Sequence, residues 1–500
     1  MAKLDTILNT TITWKNWTSD ADLLSLLSDL QANILKGHGR DHTKNVFLSF
    51  AGMKSDAVAG LLRDLSFVTT SALTQLREAE AFKATKLGGG TVVSVFLSAK
   101  GYAALGLPDA NIPADASFRA GMRNRGRLNP MPLPFAGPPI NDPEKEHWEK
   151  GEAWDSAKDD PDAMVLIADE QASLVGNSYS ALQKVFAKHG ATVLGSDIGL
   201  AQRRKQAGGD VRGEGIEHFG YVDGISQPLF LTEDFLDNNG MPKPRGKWDE
   251  EFKASQFVVS DPGNPTTFSC GSYFVYRKLE QNVKLSKQRE RLLAQSVDPQ
   301  NPDEDRAGAM VVGRFEDGTP ALQSGPVAGA PTNDFDYTLD PVGLKCPVRA
   351  HVRKTNPRTP GDEFERSHIM ARRGITYGDR APDFSDEPDK GVGLIFMAYM
   401  ADVNQQFEFT QSAWANNTSF PFQPAVPAKK GVDFIISQVA NSGDPSEKEW
   451  IDGHSQPQKV GVMDFVQTVT LMGGEYFFAP SISFLQSAPS LIANPPAELS

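Results

Sequence analysis

At 500 residues, with 39% hydrophobic and 23% charged positions, the chain exceeds what one core usually organises and reads as a globular protein of two domains or one duplicated unit. A formal net charge of −13 argues against nucleic acid or an anionic membrane surface as partner. Two cysteines, Cys270 and Cys346, are too few for a disulfide framework and lack metal-site spacing, which makes a reducing cytoplasm the simplest compartment.

Met1 to Thr6 has no apolar stretch behind Lys3, so no secretory signal is expected, although a secreted form whose leader had been removed would look the same. After a polar arm (1–21), Leu23, Leu26, Leu27, Leu30 and Ile34 predict a helix from Asp22 to Lys36 that Ser19 or Asp20 can cap and Gly37 can end. Val46–Phe50 and Val92–Leu97 read as strands with a helical stretch between them, and a helix follows from Lys100 to Leu107. Residues 129–160 form a Pro- and Gly-rich loop that Trp148 and Trp154 can clamp. The strand Met164–Ile167 precedes a helix with Leu174, Leu182 and Phe186 on one face and Gly190 as its stop, which completes a β-α-β-β-α-β-like half (22–237).

A polar linker (238–265) leads into a second half (266–500) with the same grammar. Ser272–Tyr276 reads as a strand, Leu279 to Gln295 as a charged helix and Gly393–Tyr399 as a buried strand. A helix from Asn404 carries Phe407, Thr410 and Trp414 on one face, and 298–305 and 323–338 read as surface loops. The longest apolar run, Leu394 to Ala401, is far below the roughly 18 residues of a membrane span.

Four stretches carry chemistry. His218-Phe219-Gly220-Tyr221-Val222-Asp223-Gly224-Ile225-Ser226-Gln227-Pro228 presents a carboxylate between two glycines, where taken alone it would be a surface turn. Cys346 to Arg358 holds a lone His351, on its own a satisfied structural histidine. Arg372-Arg373-Gly374-Ile375-Thr376-Tyr377-Gly378 pairs two arginines before a turn, and Leu394 and Phe396 alternate onto one strand face. Met310 to Pro320 and Gly473 to Pro480 are supporting strings.

In order and spacing these strings resemble the dye-decolourising (DyP-type) haem peroxidases, in one of the longer subfamilies. The resemblance implies two ferredoxin-like modules of the dimeric α+β barrel type, with heme b (iron protoporphyrin IX) in the C-terminal half. It implies His351 as iron ligand, Asp223 as the base that moves the peroxide proton, and Arg372, with Arg373 as fallback, as the fixed positive charge. Gly224, Ile225 and Ser226 would line the cofactor, Leu394 and Phe396 would roof the peroxide side, and His218 and Arg358 would meet the propionates. Asp402 or Glu408 would orient His351, and Trp414 or Tyr337 would relay electrons to the surface. The implied activity is oxidation of bulky aromatics, dyes and phenolics, by hydrogen peroxide. The net charge of −13 suits Mn(II) as a further reductant without locating its site, and the sequence does not choose between a monomer and a homodimer. An aspartate base, titrating near 3.9 when unperturbed, implies an acidic optimum. The alternative is a haem-binding or haem-transfer protein with little turnover.

Overall fold

Eight apolar segments pair into one curved antiparallel sheet in the computed structural model, which describes residues 2–125, 139–204, 213–236, 252–263, 266–323, 332–421, 430–455 and 457–493. In the N-terminal half these are β1 (His42–Ser49), β2 (Val92–Leu97), β3 (Ala163–Asp169) and β4 (Thr192–Leu200). In the C-terminal half they are β5 (Cys270–Gln281), β6 (Ile375–Tyr377), β7 (Gly393–Met400) and β8 (Val469–Ala479). The order across the sheet is β6-β7-β5-β8-β2-β3-β1-β4. Each half therefore places its second, third, first and fourth strand in the same succession, so the shared grammar is a repeated ferredoxin-like topology.

The halves join where Phe478 of β8 pairs with Leu97 of β2. At the far ends the sheet returns on itself: Thr376 Oγ1 donates to the Leu200 carbonyl and accepts from the Gln202 amide at 3.1 Å. Gly199 makes this closure possible, because a Cβ there would overlap Thr43 and Ile375. Helices α1 (Ala21–Asp29), α2 (Ser55–Ser66), α3 (Ala72–Thr85), α4 (Ala172–His189), α5 (Val283–Val297), α6 (Glu304–Val312) and α7 (His351–Thr355) surround the barrel. Strands covered on both faces read as continuous apolar runs rather than alternations. In β1, Val46 and Leu48 pack with α2 and α4, while Phe47 meets Trp154 and Tyr276 on the other side.

Several predicted boundaries shift for local reasons. The first helix stops at Asp29, because the buried side chain of Gln31 pairs with both backbone groups of Val95 and donates to the Pro480 carbonyl. Asn33 then turns the chain at φ +71°. Asp20 is the cap, accepting from the Asp22 and Leu23 amides. Residues 279–281 belong to β5, and Asn282 caps α5 by accepting from Leu285 N at 2.9 Å. The helix expected from Asn404 is wound as two π-helical pieces, Val403–Glu408 and Thr410–Ala415. Strands β4 and β8 escape pattern reading because glycines interrupt them, and Gly473 is needed where Trp154 packs on the strand.

Of the expected loops and linker, 129–138, 238–251, 264–265 and 324–331 lie outside the described residues. Residues 252–263 include the short strand Val259–Ser260, which pairs with the start of β5. Trp148 and Trp154 do turn inward, at 4% and 1% exposure. Trp154 Nε1 donates to Asp197 Oδ2 at 3.0 Å, and the ring stacks on Tyr276. Lys278 of β5 enters the same interior, pairing with Asp197 of β4 at 2.8 Å and with Glu149. Among the described residues no helix is long and apolar enough to cross a membrane.

One buried carboxyl gives the fold a pH dependence. Burial pushes Glu475 of β8 up to about 7, against the pull of the Met122 and Tyr476 amides. Between its ordinary value of 4.5 and about 7 the folded chain keeps a proton that the unfolded chain has lost, so this group weakens the fold as pH rises through that window. Glu475→Gln is expected to stabilise the protein by on the order of 3 kcal/mol above that window and by nothing below it. The check is a pair of Tm profiles that diverge across the window; parallel profiles would contradict it.

Candidate active site

The acidic turn is shaped from beneath by Glu217. Its half-buried carboxylate accepts from the amides of Phe219 and Tyr221, both at 2.9 Å, and tightens the segment into a loop. Gly220 and Gly224 have φ of +105° and +77°, a region that an L side chain would strain to enter. Asp223 is pinned by its own amide, which donates to the Gly215 carbonyl at 3.0 Å, and Asp223 Oδ1 accepts from Gly224 N at 2.7 Å.

Arg372 is brought to this turn by the short strand Ala371–Arg372, paired to β7. Its amide donates to Gln227 Oε1 at 3.1 Å, Nη2 donates to the Ser226 carbonyl at 2.8 Å, and Nη1 lies 3.6 Å from Asp223 Oδ1. Arg373 is directed elsewhere, with its guanidinium donating to the carbonyls of Asn33, Ile34 and Arg372. Asp223 and Arg372 are thus held by separate anchors, and each remains about a third exposed to the cavity.

His351 opens α7. Its Nδ1 is 2.9 Å from Asp433 Oδ2, and Asp433 is fully buried. Asp433 Oδ1 in turn accepts from the Ile435 and Ile436 amides. Burial pushes the Asp433 carboxyl up, yet the His351 ring and those amides hold it below the ordinary carboxylate range. A carboxylate on Nδ1 leaves Nε2 as the ring nitrogen available to a metal.

This corrects the expected partner of His351. Asp402 caps the first π-helical piece, accepting from Gln405 N at 2.8 Å, and Glu408 is occupied by Ser117, Asn404 and Tyr476. Asp433 lies 82 positions beyond His351 in a segment without periodicity, so no sequence signal singled it out.

Asp223, Gly224, Ile225, Ser226, His351, Arg372, Leu394 and Phe396 all line one cavity. On β7, Leu394 and Phe396 face it, while Ile395 and Met397 are fully buried on the other side. Apolar residues from four other segments, including Leu279, Val312, Phe407 and Ile435, complete the walls. Gln281 Oε1, His368 Nε2 and Thr410 Oγ1 on this wall are buried without hydrogen-bond partners. A free imidazole nitrogen, broad apolar walls and unpaired polar atoms fit a large flat cofactor with a metal at its centre.

The two expected propionate partners are placed differently. His218 does not line the cavity: Nε2 lies 2.8 Å from the Tyr377 carbonyl, and burial takes the ring down to about 4, so it is neutral near neutral pH. Arg358 is one side chain removed, reaching Ser226 Oγ at 3.3 Å but otherwise bonded to Asn333 and the Phe335 carbonyl. Arg314 does line the cavity, and it sits in the Met310–Pro320 string that the sequence singled out only as a whole. Trp414 and Tyr337 are 2% and 3% exposed, so neither is a surface electron exit.

A histidine backed by a buried carboxylate shares an apolar-walled cavity with an aspartate and an arginine, and this is the equipment of a haem peroxidase. The family profile "Dyp-type peroxidase, C-terminal" matches residues 240–421. Multifunctional dye peroxidase DyP2 of Amycolatopsis sp. is 42% identical over 493 residues, spanning 96% of this chain and 99% of its own length. The solved structure of DyP2 matches with a TM-score of 0.83 over 96% of this chain and 99% of that one. The DyP-type peroxidase of Anabaena sp. matches at 34% identity and a TM-score of 0.81, over 97% and 99% of the two chains. The chain belongs to the DyP-type peroxidase family, a haem-dependent family, and is an enzyme acting on peroxide.

Proposed function

We propose that this enzyme uses hydrogen peroxide to oxidise bulky aromatic compounds, dyes and phenolics, in one-electron steps, with heme b held in the cavity through His351. The observation that carries the reading is the convergence of His351, Asp223 and Arg372, from three separate segments, on one apolar cavity. The dye-peroxidase activity named for the Amycolatopsis relative supports the substrate class. When bound, the haem supplies the two oxidising equivalents that peroxide leaves behind.

The chain's own residues do the rest. Asp433, bonded to His351 Nδ1, would keep the proton on that nitrogen and leave Nε2 to hold the iron. Asp223 takes the proton from one peroxide oxygen and returns it to the leaving oxygen. Arg372 carries a charge that cannot be lost near neutral pH, and its bond to the Ser226 carbonyl fixes that charge where negative charge develops. Leu394 and Phe396 would roof the cavity, and Arg314, which lines it while donating to the Gly318 and Thr332 carbonyls and to Asn333 Oδ1, would meet a cofactor carboxylate.

Asp433→Asn is expected to lower haem affinity or the rate of the peroxide step by about 10- to 100-fold, because the amide no longer fixes the ring tautomer. Haem titration and stopped-flow absorbance measure the two; parent-like values in both would remove Asp433 from the mechanism.

An acidic optimum for dye oxidation belongs to this reading, and a rate rising steadily from pH 4 to pH 8 would contradict it. Mn(II) is a secondary reductant: the charge of −13 favours a cation, although among the described residues no cluster of three or more His, Cys, Asp or Glu is arranged to hold one. We propose a cytoplasmic enzyme, which suits the free and buried thiols of Cys270 and Cys346, working as a monomer or homodimer. The deciding experiment mixes the ferric protein with stoichiometric peroxide. The Soret band is expected to fall within seconds and to return on adding a phenol, whereas an unchanged spectrum would leave haem carriage as the function.

A further inference from the structure

Tyr221 stands on the cavity wall with its phenol turned towards a carboxylate. Its hydroxyl donates to Glu290 Oε1 at 2.9 Å, and both residues are 5% exposed. The close approach is built in, because a Cβ at Gly308 of α6 would overlap the Tyr221 hydroxyl. Glu290 is not isolated behind the phenol. Its Oε2 accepts from Lys287 at 2.8 Å, Lys287 also donates to Glu316 at 2.8 Å, and Glu316 accepts from Arg204 at 2.7 Å. The last two side chains are about a third exposed, so charged groups run from the phenol to the surface.

Two other phenols pair with buried carboxylates, Tyr276 with Asp197 and Tyr476 with Glu408. Neither lines the cavity, so among the described residues Tyr221 alone joins a place on that wall to a waiting proton acceptor. A phenol that loses an electron becomes a strong acid, and its oxidation is easy only where a base takes the proton at once. Burial raises the proton affinity of the Glu290 carboxylate, which suits it to that role.

We propose that Tyr221 is a redox-active side chain of this peroxidase, giving one electron to the peroxide-oxidised haem while its phenolic proton passes to Glu290. The inference rests on the function proposed above. The O–H bond of Tyr221 breaks, an O–H bond forms on Glu290 Oε1, one oxidising equivalent left by peroxide is consumed, and a neutral phenoxyl radical remains on Tyr221. An aromatic reductant then returns an electron, and the proton moves back from Glu290. Lys287 keeps a carboxylate partner throughout, because Glu316 holds it while Glu290 is neutral.

The test is freeze-quench EPR of the ferric holoenzyme after one equivalent of hydrogen peroxide, with the Soret band read on the same samples. The parent is expected to give a tyrosyl signal that Tyr221→Phe removes. Glu290→Gln should reduce that signal by roughly ten- to a hundredfold, the equivalent of losing one charge-assisted hydrogen bond, and Glu290→Asp should restore part of it. A merely structural role for the pair would leave the radical signal unmoved. A responsive Soret band with no tyrosyl signal in the parent, or with the signal undiminished in the variants, overturns the assignment. Should Tyr221→Phe fail to hold haem, Glu290→Gln decides alone. A Soret band that ignores peroxide sinks the peroxidase reading itself, and this assignment with it.

Discussion

His351→Ala is expected to purify as a folded chain without a Soret band. The histidine is half-buried at the start of a five-residue helix, and its ring is tied to Asp433. After truncation Asp433 still accepts from the Ile435 and Ile436 amides, so the carboxylate is not stranded and the barrel should keep its Tm within a few degrees. Haem contacts with the apolar walls would survive, but the axial bond would not. A loss of about 3 kcal/mol or more, above a hundredfold in affinity, is enough to leave the purified chain essentially haem-free. Imidazole added from solution should restore part of the band, because the cavity left by the ring has its size. A variant that retains a full Soret band would show that the iron ligand lies elsewhere.

Arg372→Leu is expected to retain haem and to react with peroxide about 10²- to 10³-fold more slowly, the effect of removing one preorganised donor worth about 3 to 4 kcal/mol. The substitution keeps the backbone bond to Gln227 but removes the guanidinium from the Ser226 carbonyl and from beside Asp223. Arg372→Lys should recover only part of the rate, since a point charge cannot reach both groups in one geometry. Stopped-flow absorbance gives the rate and the pyridine haemochrome gives the haem content. A parent-like rate, or an empty cavity, would each move Arg372 out of the peroxide step.

Much of this site was legible in the sequence because its turns need particular residues. Gly220 and Gly224 announce left-handed backbone around Asp223, and strand alternation puts Leu394 and Phe396 on one face. The choice between Arg372 and Arg373 came from counting within a family string, and its physical basis is visible only in space. The short strand ends at Arg372, and the guanidinium of Arg373 beyond it meets the carbonyls of Asn33 and Ile34 from the other half of the chain. What the sequence hid is what long-range closure decides. Arg314 reaches the cavity wall and Asp433 reaches His351 from behind, both from irregular segments, and His218 looked like a cation until burial made it neutral. The expected π-wound helix was visible as an apolar stripe, but not its wider turn, which a 3.6-residue period cannot describe.

The ammonium of Lys278 is the rivet of the barrel. It projects from the same strand that sends Arg277 to the cavity wall, yet it is clasped by Asp197 and Glu149, both contributed by the half that holds none of the proposed iron-binding groups. Loosening that clasp would leave a cation stranded inside the barrel, a penalty that water can relieve only by entering there. The N-terminal half is therefore a mould as well as the source of Asp223, and the cavity keeps its shape only while that mould stays shut.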